Sequence, residues 1–192
     1  MKAIQHRHFI LHKPYGYISQ FLSNAPKSHK KKFLGELANF PEGTMPIGRL
    51  DEKSEGLLLL TTDGKLSDTI NSSAVEKEYY AQLDGIISSE AIKKMMKGVE
   101  IGIHGKKYVT KPCLVQKIES PNFPLRTQKI RDDRHGPTSW ISITLSEGKF
   151  RQVRKMTSAA GFPTLRLIRI RVGEIYLDDL LSGESQEVST LF

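Results

Sequence analysis

Apolar positions along this chain fall in short runs, and the spacing within each run separates strands from helices. Phe9-Ile10-Leu11, stopped by Lys13-Pro14, predicts a strand ending in a turn. Phe33, Leu34 and Leu37 predict a single helical turn closed by Pro41-Glu42-Gly43. Leu57 to Leu60 is unbroken and short, as in a strand buried on both faces. Asp63-Gly64 then turns the chain into a short helix carrying Leu66 and Ile70. Tyr79, Ala81 and Leu83 alternate with Tyr80, Gln82 and Asp84, the period of a strand. Ser88 or Ser89 is placed to cap a helix that turns Ile92, Met95 and Met96 inward and stops at Gly98. Val99 to Ile118 reads as several short strands. Trp140 to Leu145 alternates cleanly, and Arg151 to Ala160 reads as a helix ended by Gly161. Leu165 to Val172 predicts a last long strand whose alternation slips between Leu167 and Ile168, the mark of a bulge. The mixture is α+β, in one domain over residues 1–192, with no internal repeat. Residues 23–32 and 120–137 are expected to be mobile basic loops.

Charge changes the picture more than composition does. The chain has 192 residues and a formal net charge of +8, which favours a polyanionic partner. Between Lys149 and Gly173 stand Lys149, Arg151, Arg154, Lys155, Arg166, Arg169 and Arg171, with no acidic residue among them. On the predicted helix, Arg151, Arg154, Lys155 and Ser158 share one face while Val153, Met156 and Ala160 share another. A second cluster runs from Lys27 through His29 to Lys32. A third, Arg126, Lys129, Arg131 and Arg134, is offset by Asp132 and Asp133. A single cluster is usually a solvated face; three together point to nucleic acid. No apolar stretch has the length of a membrane span, and no export signal is visible, so no membrane partner is expected. The one cysteine, Cys113, cannot pair within the chain, which fits a reducing, cytoplasmic setting.

The chemical motifs are few. Gly64-Lys65 lacks the other residues of a phosphate loop, no nucleophile elbow occurs, and His8 and His12 have no acidic companions. What remains is Gly48-Arg49-Leu50-Asp51, a carboxylate just before the apolar strand. Alone, such a triplet is more often a surface ion pair. The longer stretch Gly48-Arg49-Leu50-Asp51-Glu52-Lys53-Ser54-Glu55-Gly56-Leu57-Leu58-Leu59-Leu60-Thr61-Thr62-Asp63-Gly64 closely resembles the central motif of the RsuA/RluE branch of the pseudouridine synthases. Lys13-Pro14-Tyr15-Gly16, Lys77-Glu78-Tyr79, Glu147-Gly148-Lys149-Phe150-Arg151-Gln152-Val153-Arg154-Lys155-Met156 and Leu167-Ile168-Arg169 resemble the family's other motifs, in order. Gly136 to Trp140 and Gly161 to Arg169 resemble the E type of that branch, which acts on large-subunit rRNA. His12 departs from the usual asparagine, and Arg151 from a common histidine. The pattern starts within ten residues of Met1, so the amino-terminal S4 RNA-binding domain of many relatives is not expected.

The resemblance implies a pseudouridine synthase fold: a mixed, mainly antiparallel sheet with flanking helices and a central catalytic cleft. It implies breakage of the C1′–N1 bond of a uridine, rotation of the uracil and rejoining through C5, with no metal and no other cofactor. Asp51 is the implied catalytic carboxylate, acting on C1′ as nucleophile or on C2′ as base; both remain open. A carboxylate in a desolvated pocket needs a cation to stay charged, and the resemblance implies Arg154. Tyr79 is expected to stack on the uracil and help take the C5 proton. The uridine must leave its stack, and Arg49 is expected to fill the gap or hold the flipped phosphate. Leu167 is expected to wall the uracil site. Lys149, Arg151, Lys155, Arg166 and Arg169 are expected on backbone phosphates. The expected partner is ribosomal RNA, naked or in a pre-ribosomal particle, met by a monomer. The rivals are small-subunit rRNA as substrate, and an RNA-binding assembly factor without activity.

Overall fold

A computed structural model describes residues 5–23, 28–72, 74–126, 128–131 and 133–191. In chain order the elements are β1 (His8–Lys13), β2 (Met45–Ile47), β3 (Glu55–Thr61), α1 (Gly64–Ser72), β4 (Lys77–Asp84), α2 (Ser89–Lys97), β5 (Glu100–Ile103), β6 (Lys106–Val109), β7 (Leu114–Ile118), β8 (Thr138–Leu145), α3 (Gln152–Ala159), β9 (Thr164–Val172), β10 (Ile175–Tyr176) and β11 (Ser185–Val188). The fold is α+β, as the patterning implies. Short 3-10 turns stand at Ser28–Lys30, Leu34–Glu36 and Asp133–His135. The chain divides into two compact units, residues 1–75 with 169–192, and residues 76–168.

The first unit is built on β3. This strand pairs antiparallel with β1, Lys13 opposite Gly56, and with β2, Ile47 opposite Leu59. The other side of β1 pairs with β11. All seven residues of β3 are buried, as its unbroken apolar run predicts. Each buried leucine there contributes about 1.5–3 kcal/mol of transfer free energy. Phe9, Leu11, Leu34, Leu58 and Leu60 form one core cluster. Phe40 closes it, edge-on to Phe9 at 5.4 Å and to Phe21 at 5.5 Å. The expected helical turn near Phe33 is the 3-10 turn that brings Leu34 into this cluster.

The close of β9 fits against β3 because Gly56 has no side chain. A Cβ there would stand 2.3 Å from the carbonyl oxygen of Arg169, and Gly56 has a φ of +105°. A glycine inside a strand often marks such a close backbone approach.

In the second unit β8 lies between β4 and β7, antiparallel to both. α2 packs on β7 and α3 on β5. Ala81, Leu83, Met95, Ile141, Ile143, Val153, Met156 and Leu167 form its apolar centre. Ser88 caps α2 by accepting a hydrogen bond from the Ala91 N–H, as its position predicts. Met96 differs from expectation: Ala91 and Met95, four residues apart, are buried, and Met96, one step further round the helix, is 37% exposed. The phase slip in β9 has a simple account, since the strand is continuous and Arg166, Leu167, Ile168 and Arg169 are all buried. An apolar residue is then suitable on either face.

Segment 120–137 is tied down at several points. Phe123 meets the Tyr80 ring edge-on at 6.2 Å, and Arg166 lies 5.9 Å over Phe123. Arg131 pairs with the Asp84 carboxylate and donates to the carbonyl of His135. Burial near Glu78 pushes the Tyr80 hydroxyl above its ordinary pKa. In the other segment expected as a basic loop, Lys27 lies outside the described residues. Lys31 there pairs with Glu52 at 2.6 Å, and Lys32 lies over Tyr17.

Candidate active site

Asp51 stands in the connection between β2 and β3. Gly48 leaves β2 with a φ of +69°, which favours glycine, and lets the chain reverse beside Asn71. Leu50 is then buried, while Arg49 beside it is exposed. The Ser19 hydroxyl, itself buried, accepts from the Leu50 N–H and donates to the Leu50 carbonyl, each at 2.9 Å. The Ser54 N–H donates to the Asp51 carbonyl at 3.0 Å, and the Gly16 N–H to the Glu52 carbonyl at 2.8 Å. The backbone on both sides of Asp51 is therefore held by hydrogen bonds, and its half-buried carboxylate is carried by a fixed loop rather than a floppy one.

Beneath this loop is a residue that the motif reading passed over. Lys13 is fully buried, and its ammonium donates to the carbonyls of Tyr17 at 2.7 Å and Pro14 at 2.9 Å. Burial pulls its pKa down to about 7; Glu55, Asp51 and Glu52 push it up, and Arg169 pushes it further down. The signal was in the sequence. With period two, Lys13 shares the face of Phe9 and Leu11, so a lysine falls where the strand demands an apolar residue.

Arg169 belongs to the same unit, at 2% exposure, and its Nε donates to the Leu57 carbonyl at 2.7 Å. Its Nη2 is buried with no hydrogen-bond partner among the described residues. Arg166, in the second unit, is also buried and donates to the Pro124 carbonyl at 3.1 Å. Both were expected on RNA phosphates. At 6% and 2% exposure, with backbone carbonyls as partners, Arg166 and Arg169 support the fold and have little surface left for a phosphate.

The second unit carries Tyr79, Arg154 and Leu167. Tyr79, on β4 opposite Ile143, is half-buried and packs against the apolar cluster that contains Leu167. Val153 and Met156 of α3 enter the same cluster. Arg154 lies between them in sequence and donates from Nη1 to the Thr164 carbonyl at 3.2 Å. Arg151, at the helix start, has a left-handed backbone with φ 52°. Arg151, Arg154, Lys155 and Ser158 line one open groove of about 410 Å³, the shared face that their spacing predicts.

The stretch before α3 is braced by side chains. The Lys149 N–H donates to Gln152 Oε1 at 2.9 Å, and Gln152 Nε2 donates to Glu147 Oε1 at 2.6 Å. Glu147 also accepts from the Tyr108 hydroxyl at 2.5 Å and the Lys111 N–H at 2.9 Å. Burial would raise the Glu147 carboxyl, but the hydrogen bonds from Tyr108, Lys111 and Gln152 outweigh it and hold the pKa below the usual range. Cys113 donates to the Met95 carbonyl, and burial pushes its thiol up to about 11, away from nucleophilic use. Among the described residues no cluster of His, Cys, Asp or Glu suits a metal ion, and no helix is long and apolar enough to cross a membrane.

Comparison with known proteins supplies the family. The family described as RNA pseudouridylate synthase matches residues 7–159. The chain is 38% identical over 181 residues to a protein of Vibrio parahaemolyticus named ribosomal large subunit pseudouridine synthase E, covering 93% of this chain and 72% of that one. It is 33% identical over 189 residues to the ribosomal small subunit pseudouridine synthase A of Escherichia coli, covering 95% of this chain and 71% of the relative. A crystal structure of a pseudouridylate synthase superposes with a TM-score of 0.74 at 26% identity, covering 98% of this chain and 72% of the other.

Proposed function

This chain belongs to the RNA pseudouridylate synthase family, and we propose that it isomerises one uridine of large-subunit ribosomal RNA to pseudouridine, with Asp51 as the catalytic carboxylate. The observation that carries this reading is the clamped loop. Ser19 fixes Leu50 through both backbone groups, and that places the next residue, Asp51, at a defined point beside the exposed Arg49.

In the proposed reaction the C1′–N1 bond of the uridine breaks, the uracil turns, and a C5–C1′ bond forms. The proton on C5 is lost and N1 gains one, so the product is an isomer and no redox step is involved. The Asp51 carboxylate either adds to C1′, and leaves when C5 attacks, or removes the C2′ proton and returns it. Arg154 supplies the positive partner for the carboxylate, Tyr79 stacks on the uracil, and Leu167 supports that ring from the apolar cluster. Arg49 holds the flipped nucleotide. Lys149, Arg151 and Lys155 take backbone phosphates, which position the RNA without reading its sequence. We place the enzyme in the cytoplasm, acting as a monomer on rRNA, naked or within an assembling particle.

The test is tritium release from rRNA labelled at uridine C5. Wild-type protein should release tritium, and Asp51→Asn should release it at least about a hundredfold more slowly. Equal release by both proteins would remove Asp51 from the mechanism, and no release by the wild type from any rRNA would end the isomerase reading. A small-subunit substrate is favoured by the likeness to small-subunit enzymes of E. coli. Parallel assays on large- and small-subunit rRNA separate the two.

A further inference from the structure

We propose that the tip of the β5–β6 hairpin and Phe150 form a second RNA subsite, which stacks an unpaired base of the substrate next to the basic groove on α3. The inference rests on the RNA reading above and adds where a neighbouring nucleotide is held. Every residue in it belongs to the second unit.

Phe150 is 54% exposed although it lies directly before a helix that buries Val153 and Met156. A single exposed phenyl ring is ordinary, but this one has organised company. Its ring stacks with the His104 imidazole, centroids 5.6 Å apart and planes at 22°. The Lys155 ammonium stands 5.0 Å from its centroid. Beside it the Lys149 ammonium stands 5.0 Å from the centroid of Tyr108, on the same hairpin. His104 reaches Phe150 because the hairpin turn puts His104 at φ 47° and Gly105 at φ 79°. Positive φ at both central residues belongs to the tight turn that matches strand twist. Sequence-tolerant single-strand binding uses this chemistry: flat rings for the base faces and cations for the backbone between them.

The platform is also fixed before any ligand arrives. Gln152 and Glu147 brace the segment that carries Phe150, and Tyr108 and Lys111 hold Glu147 in turn. The Lys155 ammonium donates to the Gly102 carbonyl at 2.6 Å, tying α3 to the hairpin. Two carboxylates lie near. Glu147 stays ionised within the field of Lys149, and Glu100, at the groove, is paired with Lys107 at 3.0 Å. Arg151 and Lys155 add further positive charge, so the balance stays positive, as a phosphate requires. A base stacked on the His104–Phe150 rings would leave its phosphate within the field of Lys149, Arg151 and Lys155.

The experiment measures binding of the intact protein to a short labelled oligoadenylate, which contains no uridine to isomerise. Phe150→Ala should weaken binding roughly tenfold, the loss of one stacked base, and Phe150→Trp should restore it. Phe150→Leu, which keeps apolar bulk without a ring, should behave as the alanine variant does. An oligomer of abasic sugars should bind wild type and Phe150→Ala alike. On rRNA, Phe150→Ala should raise KM and leave kcat near the wild-type value. Equal oligoadenylate affinity for wild type and Phe150→Ala overturns the subsite, as does full binding by Phe150→Leu. The two proposals fail separately. Loss of tritium release in Asp51→Asn with no Phe150 effect removes only the subsite. A Phe150 effect without tritium release by the wild type removes only the isomerase reading.

Discussion

Near Asp51 two positive charges, Lys13 and Arg169, lie inside the protein, apart from the exposed Arg49; around Phe150 the positive charges lie on the surface. Lys13 and Arg169 are buried and donate to backbone carbonyls of Pro14, Tyr17 and Leu57. Lys149 and Lys155 stand over the rings of Tyr108 and Phe150. The same residue types therefore serve two ends. A buried cation tied to carbonyls fixes backbone and sets the local field, but has little surface left for RNA. A surface cation over an aromatic ring keeps access, and the ring orients it. Arg166 lies in the second unit yet is of the buried kind, so burial and not position in the chain decides the role.

The largest expected effect breaks the interior of the first unit. Gly56→Ala would place a methyl group 2.3 Å from the Arg169 carbonyl oxygen, at a φ unfavourable for alanine. The cost should be about 3 kcal/mol or more, read as a lower urea midpoint. A wild-type midpoint would show that β9 can move away from β3 at little cost.

A second effect, spread over pH, comes from the buried amine. The folded-state pKa of Lys13 is about 7, below its ordinary value of 10.5. Between these two values the unfolded chain binds more protons at this site than the folded one. Its contribution to stability therefore rises with pH through that window and is flat outside it. Lys13→Met removes the group, so the stability of the variant relative to wild type should fall as pH rises from about 7 to 10.5. A difference that stays level across that window would mean that Lys13 is not desolvated.

The smallest effect sharpens the contrast. Lys149→Ala or Lys155→Ala should each reduce the slope of log affinity for rRNA against log salt by roughly 0.7 to 1, one phosphate contact. Arg169→Lys should leave that slope unchanged while lowering stability. If Arg169→Lys changes the slope as the surface lysines do, the division between interior and surface cations fails.

Much of this was legible in the sequence. The β3 run, the Ser88 cap and the two faces of α3 all depend on residues near one another in the chain, and the structure has each where the pattern implies. Lys13 was legible too, as a charged residue in an apolar register, but the motif drew attention to Asp51 instead. Arg166 and Arg169 were misjudged because a basic run has the same letters whether it faces RNA or a carbonyl. The anchoring of segment 120–137 by Arg131 and Phe123 was hidden behind its proline and charge content.

The sequence by itself determined where strands and helices form and which stretch carries the family's central motif, because period, capping and motif spacing are local properties. Only the tertiary structure decided which cations are interior and which ring stands ready for a base. Those outcomes rest on contacts between distant segments: Arg169 donates to a carbonyl 112 positions away, and His104, at a hairpin turn, comes to lie on Phe150 before α3. Burial is a sum over such contacts, and no local pattern contains that sum.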